Sequence, residues 1–113
     1  MSARLTLPGA PVPPKPKESE VRRAVRDYLR LKGWFVFHNL QGLGCYPGLA
    51  DLTAVKAGRV VYVELKRPGG RQRKAQRRFQ QDLEAAGGEY LLVTDVEDVM
   101  RWESEDKPKR VTS

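Results

Sequence analysis

Apolar residues recur along this chain in two rhythms, one of three or four residues and one of two. Val21, Val25, Tyr28 and Leu29 form a single stripe, which predicts a helix from about Ser19 to Lys32. Ser19 suits the N-cap, Glu20 places a carboxylate at the positive end of the macrodipole, and Gly33 supplies the stop. Trp34 to His38 reads as a short buried strand, followed by a glycine-bearing loop (NLQGLGCYPGL). Two strands, Asp51 to Lys56 and Arg59 to Lys66, flank an Ala57-Gly58 turn, and Arg67-Pro68-Gly69-Gly70 ends the second. A second helix, roughly Arg71 to Ala86, turns Phe79, Leu83 and Ala86 to one side with Ala75 at the edge, and Gly87-Gly88 closes it. Glu89 to Thr94 is a fourth strand, and Asp95 caps a last helix containing Val96, Val99, Met100 and Trp102. The order α-β-β-β-α-β-α predicts an α/β fold, a mixed sheet flanked by helices. Its late strand–helix–strand unit should be parallel and right-handed.

The two ends lack this patterning. Residues 1–17 are rich in proline, basic and free of acids, which predicts a flexible arm; residues 104–113 read as a frayed tail. That leaves residues 18–103 as one small domain, for which dimerisation is an ordinary remedy against a marginal core.

Charge narrows the partners. Lys+Arg total 21 against 14 Asp+Glu, a net +7, which favours a polyanion: nucleic acid first, an acidic membrane second, with a merely solubilising surface as the bland alternative. No basic amphipathic helix with an aromatic face is present, so the membrane reading falls behind. Pro8, Pro11, Pro13 and Pro14 interrupt any signal-peptide core, and no apolar run approaches a membrane span, so an intracellular, cytoplasmic protein is expected. The lone Cys45 and the lone His38 read as structural or incidental.

Candidate chemistry lies in the hairpin. If Ala57-Gly58 is the turn, Lys56 faces Arg59, Leu52 faces Val63, and Asp51 falls opposite Glu64. Side chains so paired have Cβ atoms about 4.5–5.5 Å apart. Alternation puts Lys66 on the face of Glu64. Opposed carboxylates repel, a conflict that a hard divalent cation removes, since Mg²⁺ takes one or two carboxylates plus water and phosphate oxygens. Lys66 would then orient or deprotonate a water, or stabilise charge on the phosphate. Alanine is unfavourable where a turn needs φ > 0, so a bulged turn could shift the register by one residue. Glu64 and Lys66 keep a common face in either case, whereas the partner of Asp51 does not. A surface hairpin carrying an incidental Glu-x-Lys pair is the alternative reading.

Two features of the second helix favour the functional reading. Gln76 lies three residues before Phe79 and so points inward, where it needs a partner such as the lysine or a metal-bound water; a backbone partner is the alternative. Arg71, Arg73, Lys74, Arg77 and Arg78 crowd the start of the helix, with Arg67 just upstream, where cations are disfavoured and no Ser, Thr, Asp or Asn caps the end. This is a poor helix start and a good DNA phosphate clamp.

Gly48-Leu49-Ala50-Asp51, Glu64-Leu65-Lys66, Pro68-Gly69-Gly70 and Gln76, in that order, resemble the virus-type replication-repair nuclease (VRR-NUC) branch of the PD-(D/E)XK superfamily. The resemblance spans roughly Glu18 to Met100 and implies a restriction-endonuclease-like fold and a Mg²⁺-dependent endonuclease, with Mn²⁺ as a substitute. By the same resemblance Asp51 and Glu64 are metal-binding acids, the Leu65 carbonyl is a further ligand, and Lys66 and Gln76 are catalytic. Glu20 matches an acid of the first helix that supports the site. One departure is Ala50, where the family usually has proline. Stand-alone members are similar to phage-encoded enzymes that act as homodimers on branched DNA such as four-way junctions. Two other readings stay open: a non-catalytic nucleic-acid-binding module, and a restriction-type nuclease that recognises a base sequence.

Overall fold

A computed structural model describes Gly9 and residues 16–105, so most of the arm and tail proposed for 1–17 and 104–113 lies outside the described residues. Its elements are α1 (Glu18–Leu31), β1 (Phe35–His38), β2 (Leu52–Lys56), β3 (Arg59–Leu65), α2 (Lys74–Ala85), β4 (Glu89–Val93) and α3 (Val96–Glu105). The strands form one sheet in the order β1-β2-β3-β4. The pairs β1–β2 and β2–β3 are antiparallel, whereas β3 and β4, joined through α2, are parallel.

The turn that left the register open takes the sterically costly course. Ala57 and Gly58 both adopt positive φ, 52° and 83°, the conformation that a two-residue hairpin of matched twist requires. Lys56 pairs with Arg59 and Leu52 with Val63, without a bulge.

The face of the sheet carrying Val36, Leu52, Ala54, Val61, Val63, Leu65 and Val93 packs with Val25 and Leu29 of α1 and Val99 of α3. Full burial of each of these valines and leucines contributes about 1.5–3 kcal/mol. The opposite face is covered by α2, whose Phe79 ring packs on Tyr62, Tyr90 and Tyr46 with centroids 5.5–6.1 Å apart. This cover stops short of β1. Phe35 and Phe37 stay exposed, so β1 is an edge strand open on one face and not the buried strand expected from its apolar composition.

Helix starts also differ from expectation. Lys17, not Ser19, is the N-cap of α1, and Glu20 Oε1 accepts a hydrogen bond from the Lys17 N–H at 3.1 Å. Helix α2 begins three residues later than predicted, with Arg71–Arg73 outside it. The missing cap is supplied from within, by Gln76 Oε1 accepting from the Arg73 N–H at 2.7 Å. Asp95 caps α3 as expected, accepting from the Asp98 N–H at 3.0 Å.

Candidate metal centre

The observed register, continued one step beyond Leu52 and Val63, brings Asp51 level with Glu64 at the end of the hairpin. Alternation turns both away from the aliphatic core, to the end of the sheet that α1 and α2 reach from opposite sides. Asp51 Oδ2 accepts a hydrogen bond from the Leu65 N–H at 2.8 Å, and Asp51 Oδ1 lies 3.8 Å from Arg22 Nε of α1. Glu64 Oε2 accepts from Gln76 Nε2 of α2 at 2.8 Å. Gln76 thus ties the start of α2 to Glu64, with one end of its amide on each. Its partners are this carboxylate and the Arg73 backbone N–H, so the backbone alternative holds for one end of the amide, and neither partner is the lysine.

Glu64 is only 5% exposed, and its Oε1 atom, fully buried, accepts no hydrogen bond. An acceptor held in that state costs about 1–3 kcal/mol when neutral and more when charged. Burial, then the charge of Asp51, pushes the Glu64 carboxyl up to about 8; the Asp51 backbone N–H and the Lys66 ammonium pull the other way without reversing it. Asp51 is also shifted upward, first by burial, although the Leu65 N–H and Arg22 oppose the shift. Two acids that resist ionisation side by side, one with an orphaned oxygen, are a donor set suited to a hard cation. Among the described residues no group of three or more His, Cys, Asp or Glu side chains is arranged for a metal. A cation here would therefore rest on Asp51 and Glu64, completed by the Leu65 carbonyl, water and phosphate oxygens, as Mg²⁺ commonly is.

The backbone entering Asp51 is clamped. Asn39 pairs through its N–H with the Asp51 carbonyl at 2.8 Å, its Nδ2 donates to the Ala50 carbonyl at 2.9 Å, and its Oδ1 accepts from the buried Thr53 hydroxyl at 2.8 Å. Gln41 Nε2 adds a bond to the same Ala50 carbonyl at 3.1 Å. With these contacts Ala50 needs no proline ring to hold the strand.

The basic residues divide. Lys66, Arg67, Arg71 and Arg77 line one groove of about 420 Å³ together with Gln72 and Thr94. Lys66 and Arg67 also line an adjoining groove of about 390 Å³ with Lys17 and Glu18. Arg73, Lys74 and Arg78 are exposed and line neither; Arg78 pairs with Asp82 at 3.1 Å. Glu20 is not brought to the acids, because its carboxylate is engaged at Lys17. Glu18 is the first-helix acid whose charge reaches both Asp51 and Glu64.

Sequence reasoning missed Arg22, Glu18 and Asn39. Glu18, Arg22, Arg26 and Arg30 each fall four residues apart, a row directly beside the Val21–Val25–Leu29 stripe; that spacing marks the row but not the acids it meets. The row also acts on His38, whose imidazole is held below its ordinary value by burial, then by Arg26, Arg22 and Arg30.

Neither the comparison with family models nor that with curated proteins finds a match. Among solved structures the chain is similar to a VRR_NUC domain at 20% identity and a TM-score of 0.70, over 80% of this chain and 97% of that one. Four strands in mixed pairing and three flanking helices are thereby matched to a known architecture: the chain has the fold of a VRR_NUC domain, compatible with an α/β, restriction-endonuclease-like class.

Proposed function

We propose that this chain is a divalent-metal-dependent DNA endonuclease of the PD-(D/E)XK type, hydrolysing phosphodiester bonds. The observation that carries the reading is the buried Glu64 Oε1, without a hydrogen-bond partner and level with the Asp51 carboxylate. A structural carboxylate would have that oxygen satisfied or exposed. A VRR_NUC fold and a net charge of +7 support a nucleic-acid substrate.

In this reading Asp51, Glu64 and the Leu65 carbonyl hold Mg²⁺, with Mn²⁺ as a substitute. The ion, when bound, supplies Lewis acidity toward a phosphate oxygen and lets Glu64 ionise. Gln76 fixes the rotamer of Glu64 by bonding Oε2, which leaves Oε1 for the ligand. The charge of Lys66 acts on Glu64; its Nζ orients or deprotonates the attacking water and stabilises negative charge developing on the phosphate. Arg67, Arg71 and Arg77 hold flanking phosphates in the adjoining groove. Arg73, Lys74 and Arg78, exposed at the start of α2 and outside both grooves, serve a longer duplex arm. Glu20 contributes through the α1 cap, which fixes where Glu18 and Arg22 stand.

Branched DNA, four-way junctions included, is the proposed substrate and a homodimer the proposed form, because a two-fold assembly sets two sites against two strands. The test is cleavage of labelled four-way junction, flap, nicked and plain duplex DNA with Mg²⁺ and with EDTA. Metal-dependent cutting that prefers the branched substrates is expected. Discrete fragments from plain duplex would favour a sequence-reading nuclease instead, and an intact protein that binds all four and cuts none would leave a binding module.

A further inference from the structure

The open side of β1 carries two features that reach beyond the metal centre. Phe35 is 66% exposed and Phe37 is 42% exposed, with ring centroids 5.6 Å apart on the face that α2 leaves bare. Along the outer edge of the same strand runs the α1 row. Arg22 lies against Asp51 and Glu18, an Arg26 guanidinium nitrogen is 3.4 Å from His38 Nε2, and Arg30 donates to the Val36 carbonyl at 2.8 Å. Arg26 also pairs with Asp27 at 2.8 Å, so part of its charge is already met. Positions four apart on a helix stand about 6 Å apart along its axis, so three arginines span about 12 Å. Like charges at that spacing repel; Glu18, Asp51 and Asp27 offset part of this, and phosphates along the row would offset more. The row starts at Asp51 and leads away from it along β1.

We infer that the β1 edge is a track for an unpaired strand of the nucleic-acid substrate, with its phosphates on Arg22, Arg26 and Arg30 and its bases on the Phe35 and Phe37 rings. A basic rail beside exposed aromatics is the usual chemistry of single-strand binding, because every base offers a π-face to stack. A stretch of A-form or B-form duplex would bury its bases and leave the two rings unused. The inference rests on the proposed nuclease reading for its partner, and among branched substrates it singles out those with an unpaired segment, such as a flap, which would lie beside the scissile bond.

A second copy of this chain fits the same edge less well. An isologous contact sets each patch against itself, so the arginine rows of two copies would face one another. Pairing of two β1 strands is also blocked at the Val36 carbonyl, which Arg30 already occupies.

The test uses the full chain in EDTA and reads fluorescence anisotropy of a short labelled single-stranded oligonucleotide and of its duplex, across a range of salt. Phe37→Ala and Phe35→Ala should each weaken single-strand binding about fivefold or more, leaving the salt slope and the duplex affinity unchanged. Arg26→Ala should lower the single-strand slope by about 0.7, one phosphate contact. Both rings are exposed, and a circular dichroism spectrum checks that the variants fold. Single-strand affinity indifferent to both phenylalanines overturns the track. So does a wild-type dimer that these changes make monomeric without altering oligonucleotide binding, which would give the face to a second copy. Metal-dependent cutting with phenylalanine-indifferent binding removes this inference alone. Phenylalanine-dependent strand binding without any cutting upholds it and removes the nuclease. A wild-type chain that binds no nucleic acid removes both.

Discussion

Glu64 carries the one buried side-chain oxygen without a hydrogen-bond partner among the described residues, a carboxyl held against the sheet. Its consequence for stability has a definite sign. A group whose folded pKa is about 8 against an ordinary 4.5 holds its proton more tightly when folded. Its contribution is therefore complete below pH about 4.5 and is lost as pH rises toward about 8. Urea titrations of the metal-free protein should show stability falling across that window by on the order of a few kcal/mol, and Glu64→Gln should flatten the fall. At neutral pH Asp51→Asn and Glu64→Gln should abolish cleavage while DNA affinity holds within about threefold, and parallel cleavage and anisotropy assays check the split. The pairing behind these predictions was legible by counting outward from Ala57-Gly58. Arg22 and Glu18 were not, since which flank of a buried stripe meets the end of a sheet depends on how α1 lies across it. The inward aim of Gln76 was also legible from its distance to Phe79. Its choice of Glu64 was not, because that depends on where α2 docks.

Helix α2 and the loop before β2 place the acids jointly. Gln76 joins the cap of α2 to Glu64, so Gln76→Ala should cost about 1–3 kcal/mol of stability and also weaken metal binding, whereas removal of a cap alone would spare the metal. The loop meets α2 at Gly48, whose φ is +79° and where an added Cβ would lie 2.1 Å from the Ala75 carbonyl oxygen. Gly48→Ala should therefore destabilise by several kcal/mol in denaturant unfolding. Gly44→Ala, also at positive φ but in open space, should cost only about 1–2 kcal/mol. All seven elements were visible in the periodicity, because helices with one apolar side and strands rich in Val and Leu leave clear marks. Their starts were less visible. The caps of α1 and α2 come from Glu20 and Gln76 reaching backward, not from a Ser or Asp at the N-cap itself.

At the scale of the whole molecule, positive charge flanks the acids on two sides, with Lys66, Arg67, Arg71 and Arg77 toward α2 and the Arg22–Arg26–Arg30 row toward β1. DNA affinity should fall steeply with salt. Arg71→Ala and Arg77→Ala should each reduce the duplex slope by about 0.9, while Arg78→Ala, paired with Asp82, should change it least. Composition disclosed the excess of charge but not its division, since the packing of α1 and α2 against the sheet decides which arginines converge on the acids. No helix among the described residues is long and apolar enough to cross a membrane. The measurement that bears most directly on the metal centre is a calorimetric titration of the metal-free protein with Mn²⁺ at neutral pH, in two buffers of different ionisation enthalpy. Wild type should bind saturably and release a proton, the one held by Glu64, and Glu64→Gln should neither bind nor release. Equal binding by both proteins, with no proton released, would contradict the account.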